Sequence, residues 1–500
     1  MQNIAKQLMR GFTIFTAGSA LAAACFYAYR VFLARVLEPS QYGLIFAVWA
    51  LFSFVMPFRS LGFAAAFVRF VPKFREEGAW WKVKSAAVQL FVIQIGTAVF
   101  LAVLVLLFKD VLGMSYFKSA EAGPLLVAFL PFFFISVVGD TAEMVLYSFN
   151  KITLFAVKKF LDQSLLLLFT VGLFSFFPDT RIAAIAMALS ALITGISLCM
   201  IAIRLLPEVF LAKWWWDREV FRQILRFGLP QMFANSGLAI FTYLDMLLLT
   251  YFRSLTDVAL YAVAQPIAML LMYFRKPLVV AFNPLASELA IKDKPKLGKV
   301  TEHIQRWMFT AIGGGGVVLF FVADTVVSVA FGDAYNGAGR IVQLLILGVP
   351  FTAVSLMDMR ALFAVGSANM NARISFVTGI STTAFNLVLI PFFGVTGAAL
   401  ASVASGLVSF ALTSYYLKRV LDVPTPYGVL LKVAICIVLA ASGGFLLGLL
   451  PEMHWFIQTV MLVFGVGGIY VLSAVIVGLF TVAELITHAK RFCTLHKSES

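Results

Sequence analysis

The chain is poor in charge, and poorest in acid. Only 12% of its 500 residues are charged, and 24 acidic residues face 38 basic ones, while 62% are apolar and 15% aromatic. A soluble globule is nearer half apolar, so that class is excluded and an integral membrane protein is expected. Cysteine is scarce as well. Cys25, Cys199 and Cys436 fall in apolar runs and Cys493 in the C-terminal tail, so no pair is placed for an oxidising compartment and no disulfide is expected. Histidines stand at 303, 454, 488 and 496 without ligand spacing, and no metal site is expected. There is no GxxxxGK[ST] phosphate loop, because LGKV at 297–300 lacks both the spacing and the hydroxyl, so ATP is not expected to be hydrolysed here. Nor is there a polar stretch long enough for a separate domain, the longest being the connectors around 205–225 and 284–305.

What the chain has is apolar runs. At about 20 residues per spanning helix, they predict spans near 11–33, 44–68, 86–108, 123–148, 152–176, 182–204, 226–250, 258–282, 304–322, 340–363, 374–392, 395–417, 428–450 and 456–480. The expected fold is therefore an all-α polytopic membrane protein with fourteen transmembrane helices. With the N-terminus inside, 27 of the 38 basic residues fall on the cytoplasmic side, among them Lys151, Lys158 and Lys159, and six on the outer side. That bias predicts cytoplasmic N- and C-termini. It also accounts for the net charge of +14 without a nucleic-acid partner, and none is expected. Trp80, Trp81 and Trp214 to Trp216 fall at the predicted cytoplasmic helix ends, where amphipathic rings prefer the headgroup layer. GGGG at 313–316 lies within the ninth span and reads as a close helix contact, and Asp324 is expected to cap a short outer helix.

A faint internal repeat organises the spans. Pro131, Phe132, Ser136, Ala142, Ser148 and Asn150 recur as Pro350, Phe351, Ser355, Ala361, Ser367 and Asn369, where chance from such a composition gives roughly two matches. A second block, Phe177, Ala183, Ala184, Ala186, Ser190 and Leu192, recurs as Phe392, Ala398, Ala399, Ala401, Ser405 and Leu407. Two blocks in one order imply a duplicated half. Six spans lie between the copies, an even number, so the halves enter the membrane with one orientation, as in transporters built from parallel repeats with the substrate site at their interface. The expected domains are a six-helix lobe over 1–222, a second over 223–422, and two added helices with a cytoplasmic tail over 423–500.

Ten charges fall inside spans: Arg30, Arg59, Arg275, Lys276 and Arg360, with Asp140, Glu143, Asp162, Asp245 and Asp358. Facing lipid at about 2.5–3.5 kcal/mol each they would oppose folding by roughly 25–35 kcal/mol, so they are expected to face a wet cavity or one another. Guanidinium groups grip phosphate oxygens in pairs and stay protonated, so Arg30, Arg59 and Arg275, with Lys276, predict an anionic substrate; the alternative for Arg59 and Arg275 is snorkelling or pairing with a helix carboxylate. Asp140 and Glu143 stand three apart on one helix face. They read either as an ion-coupling pair or as partners of Lys151, Lys158 or Lys159, and Asp162 shares the second reading. Asp245, mid-span near Gln231 and Asn235, reads as functional, and Asp358 and Arg360 each need a partner elsewhere because residues two apart do not face each other.

The runs LARVLEPSQYG at 33–43, RSLGFAAAFVRFVPKF at 59–74 and FFGVTGAALAS at 392–402 resemble the polysaccharide flippase branch of the multidrug/oligosaccharidyl-lipid/polysaccharide exporter superfamily, over essentially the whole chain. The resemblance implies two six-helix lobes around a central cavity and passage of a lipid-linked oligosaccharide to the outer leaflet. Lipid II flippases of that superfamily carry cavity arginines in their first, second and eighth helices. Arg30 and Arg59 match the first two, but Gln265 falls near the third place, with Arg275 and Lys276 about three turns later. That departure favours a polyprenyl-diphosphate-linked glycan other than the peptidoglycan precursor.

The expected function is thus a flippase of a bacterial or archaeal cytoplasmic membrane, working by alternating access on a lipid-linked anionic oligosaccharide. Expected partners are the bilayer and polysaccharide polymerase machinery; no cofactor is expected beyond a proton or sodium gradient coupled through Asp245, Asp140 and Glu143. The alternatives are a lipid II flippase, a multidrug/ion antiporter of the same fold, and a membrane glycan polymerase or ligase. The last would need a long outer loop carrying catalytic residues, so an enzyme is not expected.

Overall fold

The computed structural model describes residues 2–149, 151–213, 215–448 and 454–479. Among these every regular element is helical and there is no strand. By their contacts the residues form two compact units, 1–259 and 260–500.

The first unit holds α1 (Gln2–Val36), α2 (Pro39–Arg59), α3 (Phe63–Glu76), α4 (Trp80–Val111), α5 (Ala122–Ser148), α6 (Ile152–Phe174), α7 (Arg181–Leu205), the short α8 (Pro207–Leu211) and α9 (Arg218–Phe252). α10 (Leu255–Met269) carries the unit boundary. The second unit continues with α11 (Arg275–Lys292), α12 (Lys294–Phe331), α13 (Ala338–Ala364), α14 (Ala368–Phe393), α15 (Val395–Leu421), α16 (Tyr427–Gly448) and α17 (Trp455–Ile476). Twelve spans among the described residues are long and apolar enough to cross a membrane. The chain is a multi-pass membrane protein. Two expected spans are not among the twelve: α6 carries Lys158, Lys159 and Asp162, and part of α9 lies outside the described side chains.

The helices carrying the repeated blocks hold corresponding places. α5 and α7 share more contacts than any other pair in the first unit, and α13 and α15 do so in the second. Small residues permit this. Gly139 and Gly195 bring the backbones of α5 and α7 together, since a Cβ on Gly139 would stand 3.2 Å from the Gly195 Cα. α9 packs on α2, α3 and α4 within the first unit, and α16 and α17 pack on α12 in the second.

Two predicted spans are not single helices. The run 44–68 is interrupted after Arg59, where Leu61 (φ 45°) and Gly62 (φ 77°) turn left-handed before α3 begins. Glycine tolerates that conformation, and the absence of a Cβ lets Gly62 lie against the Gly228 backbone of α9. Beyond the turn, Phe63, Phe67, Val71 and Phe74 form a stripe buried against α4, α5, α7 and α9, with Leu90, Leu146, Leu198 and Ile224 behind it. The run 258–282 is likewise divided, with a 3₁₀ segment from Leu270 to Phe274 between α10 and α11.

Conversely, the ninth span is far longer than expected. α12 runs 38 residues, about 57 Å at 1.5 Å per residue, nearly twice the hydrocarbon thickness of about 30 Å. Asp324 therefore caps nothing; it is an exposed residue inside α12, beside Gly339 of α13. The glycine run in this helix is a packing device, as read from the sequence. Leu271 fits against Gly315, and Tyr470 of α17 fits against Gly313 and Gly314 and donates its hydroxyl to the Thr310 carbonyl at 2.9 Å. At the 205–225 connector, Trp81 stacks on Trp215 with centroids 4.4 Å apart, and Lys84 donates to the carbonyls of Phe210 and Ala212.

Candidate functional site

The break after Arg59 creates the centre of the site. Ending a helix leaves carbonyls without intrahelical partners; here the Thr97 hydroxyl of α4 donates to the Arg59 carbonyl at 2.6 Å. Arg59 itself, in the last turn of α2, stands where the helix dipole favours a cation. Its side chain is buried (3% exposed) and reaches α5, donating to the Phe133 carbonyl at 2.9 Å and the Ser136 hydroxyl at 2.6 Å, and pairing with the Asp140 carboxylate.

One turn along α5 and across to α6 the network continues through Lys158. Its Nζ lies 2.5 Å from Glu143 Oε2, 3.7 Å from Asp162 Oδ2 and 3.8 Å from Asp140 Oδ1. The Thr194 hydroxyl of α7 donates to Asp162, and Gln94 of α4 donates to the Thr141 hydroxyl at 3.3 Å. Three helices, α2, α5 and α6, thus bring two cations and three carboxylates together, and α4 and α7 add Gln94 and Thr194. Among the described residues no group of three or more His, Cys, Asp or Glu has metal-holding geometry, the Lys158 ammonium already occupying the space between its carboxylates.

Two cavities meet at Asp140. The larger, of about 520 Å³, is lined by Arg59, Ser60, Gln94, Asp140 and, from α9, Thr242 and Tyr243. The smaller, of about 180 Å³, is lined by Asp140, Lys158, Asp162, Gln163 and Thr194 with Trp49 and Phe132. Gln163 Oε1 is buried without a hydrogen-bond partner among the described residues. Asp140 is the charged residue common to both cavities, and its side chain is 38% exposed.

The remaining predicted residues are dispersed. Arg30 is buried beneath aromatic rings, its guanidinium 4.0 Å from the centroid of Phe46, with the Tyr29 and Tyr42 phenols in its field; it lines neither cavity. Asp245 is buried in α9, while the side chains of Gln231 and Asn235 lie outside the described residues. In the second unit Arg275 opens α11, half-buried and within the field of Arg360, which is exposed on α13. The Lys276 side chain lies outside the described residues. Asp358 finds the partner it needs in Gln305 of α12, whose amide donates to Oδ1 at 2.9 Å, with Thr413 of α15 beside it.

Of the two readings of Asp140, Glu143 and Asp162, pairing with a nearby lysine is the one present, and the lysine is Lys158. In the structure it lies two turns into α6 with its side chain 16% exposed, because three carboxylates offset the cost of burying its charge. Its spacing of four from Asp162 puts both on one helix face. Outside the spans, Asp179 accepts from both the backbone and the guanidinium of Arg181, and these bonds hold its carboxyl below the usual range.

Broken apolar helices around a charged, cavity-lined centre are the features of this multi-pass membrane protein. Residues 8–290 match the family model described as polysaccharide biosynthesis protein, and the chain belongs to that family. Among curated proteins it is 24% identical over 417 residues to the membrane protein MJ1068 of Methanocaldococcus jannaschii, covering 80% of this chain and 82% of that one. It is 21% identical over 208 residues to the probable low-salt glycan biosynthesis flippase Agl15 of Haloferax volcanii, covering 41% of this chain and 44% of the relative. Its fold is similar to the lipid II flippase MurJ in an inward closed conformation, with TM-score 0.77 and 14% identity over 93% of this chain and 98% of that structure. An inward-facing multidrug resistance MATE transporter of the MOP superfamily follows, with TM-score 0.67 and 15% identity over 79% and 94%.

Proposed function

We propose that the protein flips a polyprenyl-diphosphate-linked oligosaccharide from the inner to the outer leaflet of a bacterial or archaeal cytoplasmic membrane, by alternating access, for cell-surface polysaccharide synthesis. The observation that carries this reading is a buried arginine, Arg59, lining a cavity of about 520 Å³ in a chain of the polysaccharide biosynthesis family. A volume of that size lies in the usual range for ligand sites, about 300–1,000 Å³. Guanidinium donors match diphosphate oxygens in geometry and charge. Arg30, Arg275 and Lys276 belong to the same proposed set of substrate cations, Asp245, Asp140 and Glu143 to ion coupling, and Asp358 and Arg360 to the polar lining. The fourteen-helix count, two six-helix lobes, cytoplasmic termini and a polymerase partner are parts of this proposal.

Proteoliposomes loaded with a lipid-linked oligosaccharide test it. Translocation is expected to fall at least tenfold in Arg59→Glu and to slow when proton and sodium gradients are collapsed; wild-type transport of the glycan lipid at the protein-free rate would end the reading. A second reading has one observation in its favour: carboxylates outnumber cations around Lys158, as suits an antiporter of cationic drugs. Drug resistance conferred on a sensitive host, without glycan transport, would decide for it.

A further inference from the structure

The charges around Asp140 do not balance. Arg59 and Lys158 face Asp140, Glu143 and Asp162, leaving one negative charge in excess on the wall of the cavity proposed to receive an anion. The three carboxylates are not equivalent. Glu143 and Asp162 reach only Lys158, and Asp162 is also held by the Thr194 hydroxyl. Asp140 bridges both cations, lines both cavities and is the most exposed of the three, with 38% of its side chain accessible against 17% and 25%.

We propose that Asp140 is an internal stand-in for the substrate's diphosphate: its carboxylate pairs with Arg59 and Lys158, and a diphosphate anion displaces it as Asp140 takes up a proton. This rests on the anionic substrate proposed above and adds how the site is kept closed and how a proton enters the cycle. A carboxylate and a phosphate oxygen compete for the same guanidinium donors. Adding the anion while Asp140 stays ionised would bring like charges together in a partly buried site. Protonation removes that repulsion and frees both cations, so anion binding and proton uptake are linked and affinity rises as pH falls. One O–H bond of a hydronium ion breaks and a carboxylic O–H forms on Asp140, so one proton is taken from bulk water for each anion bound.

Every charged or titratable group facing Asp140 bears on the linkage. These are Arg59 from α2, Glu143 on α5, Lys158 and Asp162 from α6, and the Tyr243 phenol, which lines the larger cavity from α9. From α4, Gln94 lines the same cavity without charge.

Inorganic pyrophosphate binding to the full-length protein in nanodiscs tests this by calorimetry, with each variant compared with wild type at the same pH so that the probe's own titration cancels. Asp140→Asn is expected to bind at least tenfold tighter, a lower bound on the repulsion that one unit charge at about 4 Å exerts near a protein surface. It should also lose the extra affinity that wild type gains on acidification. Lys158→Met should bind at least tenfold more weakly, and Asp140→Glu should restore the pH dependence. Wild-type binding left unchanged by Asp140→Asn, in protein that melts as wild type does, would overturn the stand-in role and leave the diphosphate reading intact. Absence of pyrophosphate binding in both wild type and Asp140→Asn would overturn both. Repeating the measurement with phosphatidylglycerol in the nanodisc separates the sources of phosphate: unchanged affinity supports the proposal, and abolished binding assigns the site to bilayer headgroups and overturns it.

Discussion

Position 139 of α5 and position 358 of α13 are aligned by the repeat, yet one is glycine and the other aspartate. Gly139 faces α7 and lets it approach at Gly195, while the next residue, Asp140, turns about 100° around the helix into the cavities. In α13 the carboxylate sits one place earlier, so Asp358 points into the packed interior, fully buried and bonded to Gln305, and Met359 takes the place of Asp140. A shift of one residue thus converts a cavity-lining charge into a buried structural one. The two copies share helix packing and differ in what they can do with an ion.

That contrast can be broken most severely at Lys158. Lys158→Met leaves Glu143 and Asp162 without their cation, and the expected loss is about 3–5 kcal/mol, read by thermal or denaturant unfolding in detergent. Combining it with Glu143→Gln and Asp162→Asn should recover most of the loss, because the buried charges leave with their partner.

The corresponding test in the second unit separates charge from hydrogen bonding. Asp358→Asn retains an acceptor for Gln305 and should cost little, whereas Asp358→Leu strands the Gln305 amide and should cost about 1–3 kcal/mol. If Asn were as damaging as Leu, the Asp358 charge itself would be required and the two units would be more alike than their packing indicates. Gly139→Leu addresses the shared scaffold: forcing a branched side chain against the Gly195 backbone should destabilise by about 1–3 kcal/mol.

Smaller effects lie at the periphery. Thr97→Val removes the hydroxyl that bonds the Arg59 carbonyl as well as the Ile93 carbonyl of its own helix, and should cost about 1 kcal/mol. The Asp179–Arg181 pair provides the mildest case. Because Arg181 depresses the Asp179 carboxyl, its contribution is present above the unfolded pKa of about 3.9 and fades as pH falls through the lower folded value. The pair is exposed, so Arg181→Ala should leave the melting temperature at neutral pH and high salt unchanged within error.

Much of the framework was legible before any coordinates. Apolar runs located the helices because burial in lipid demands continuous hydrophobicity, and the repeated blocks fell on the helix pairs that pack most closely in each unit. The breaks after Arg59 and at 270–274 were not legible, since a left-handed pair such as Leu61–Gly62 interrupts a helix without interrupting hydropathy. Asp324 was misread for the opposite reason, a lone acid that does not end a helix held on both sides by tertiary contacts. The sequence left Asp140, Glu143 and Asp162 with three candidate lysines, and only the packing of α5 against α6 selects Lys158.

The amino-acid order by itself determined a multi-span helical membrane protein with two repeated sequence blocks and an unusual load of embedded charge. Hydrophobicity, helical period and repetition are local or additive, and they survive without coordinates. Only the tertiary structure decided that Arg59 and Lys158 share Asp140, that Arg30 is enclosed in aromatic rings, and that Asp358 answers to an amide. Whether a charge faces a cavity, a partner or a ring depends on about 100° of helix rotation and on which neighbour packs there. Those are properties of the assembled helices, not of any one of them.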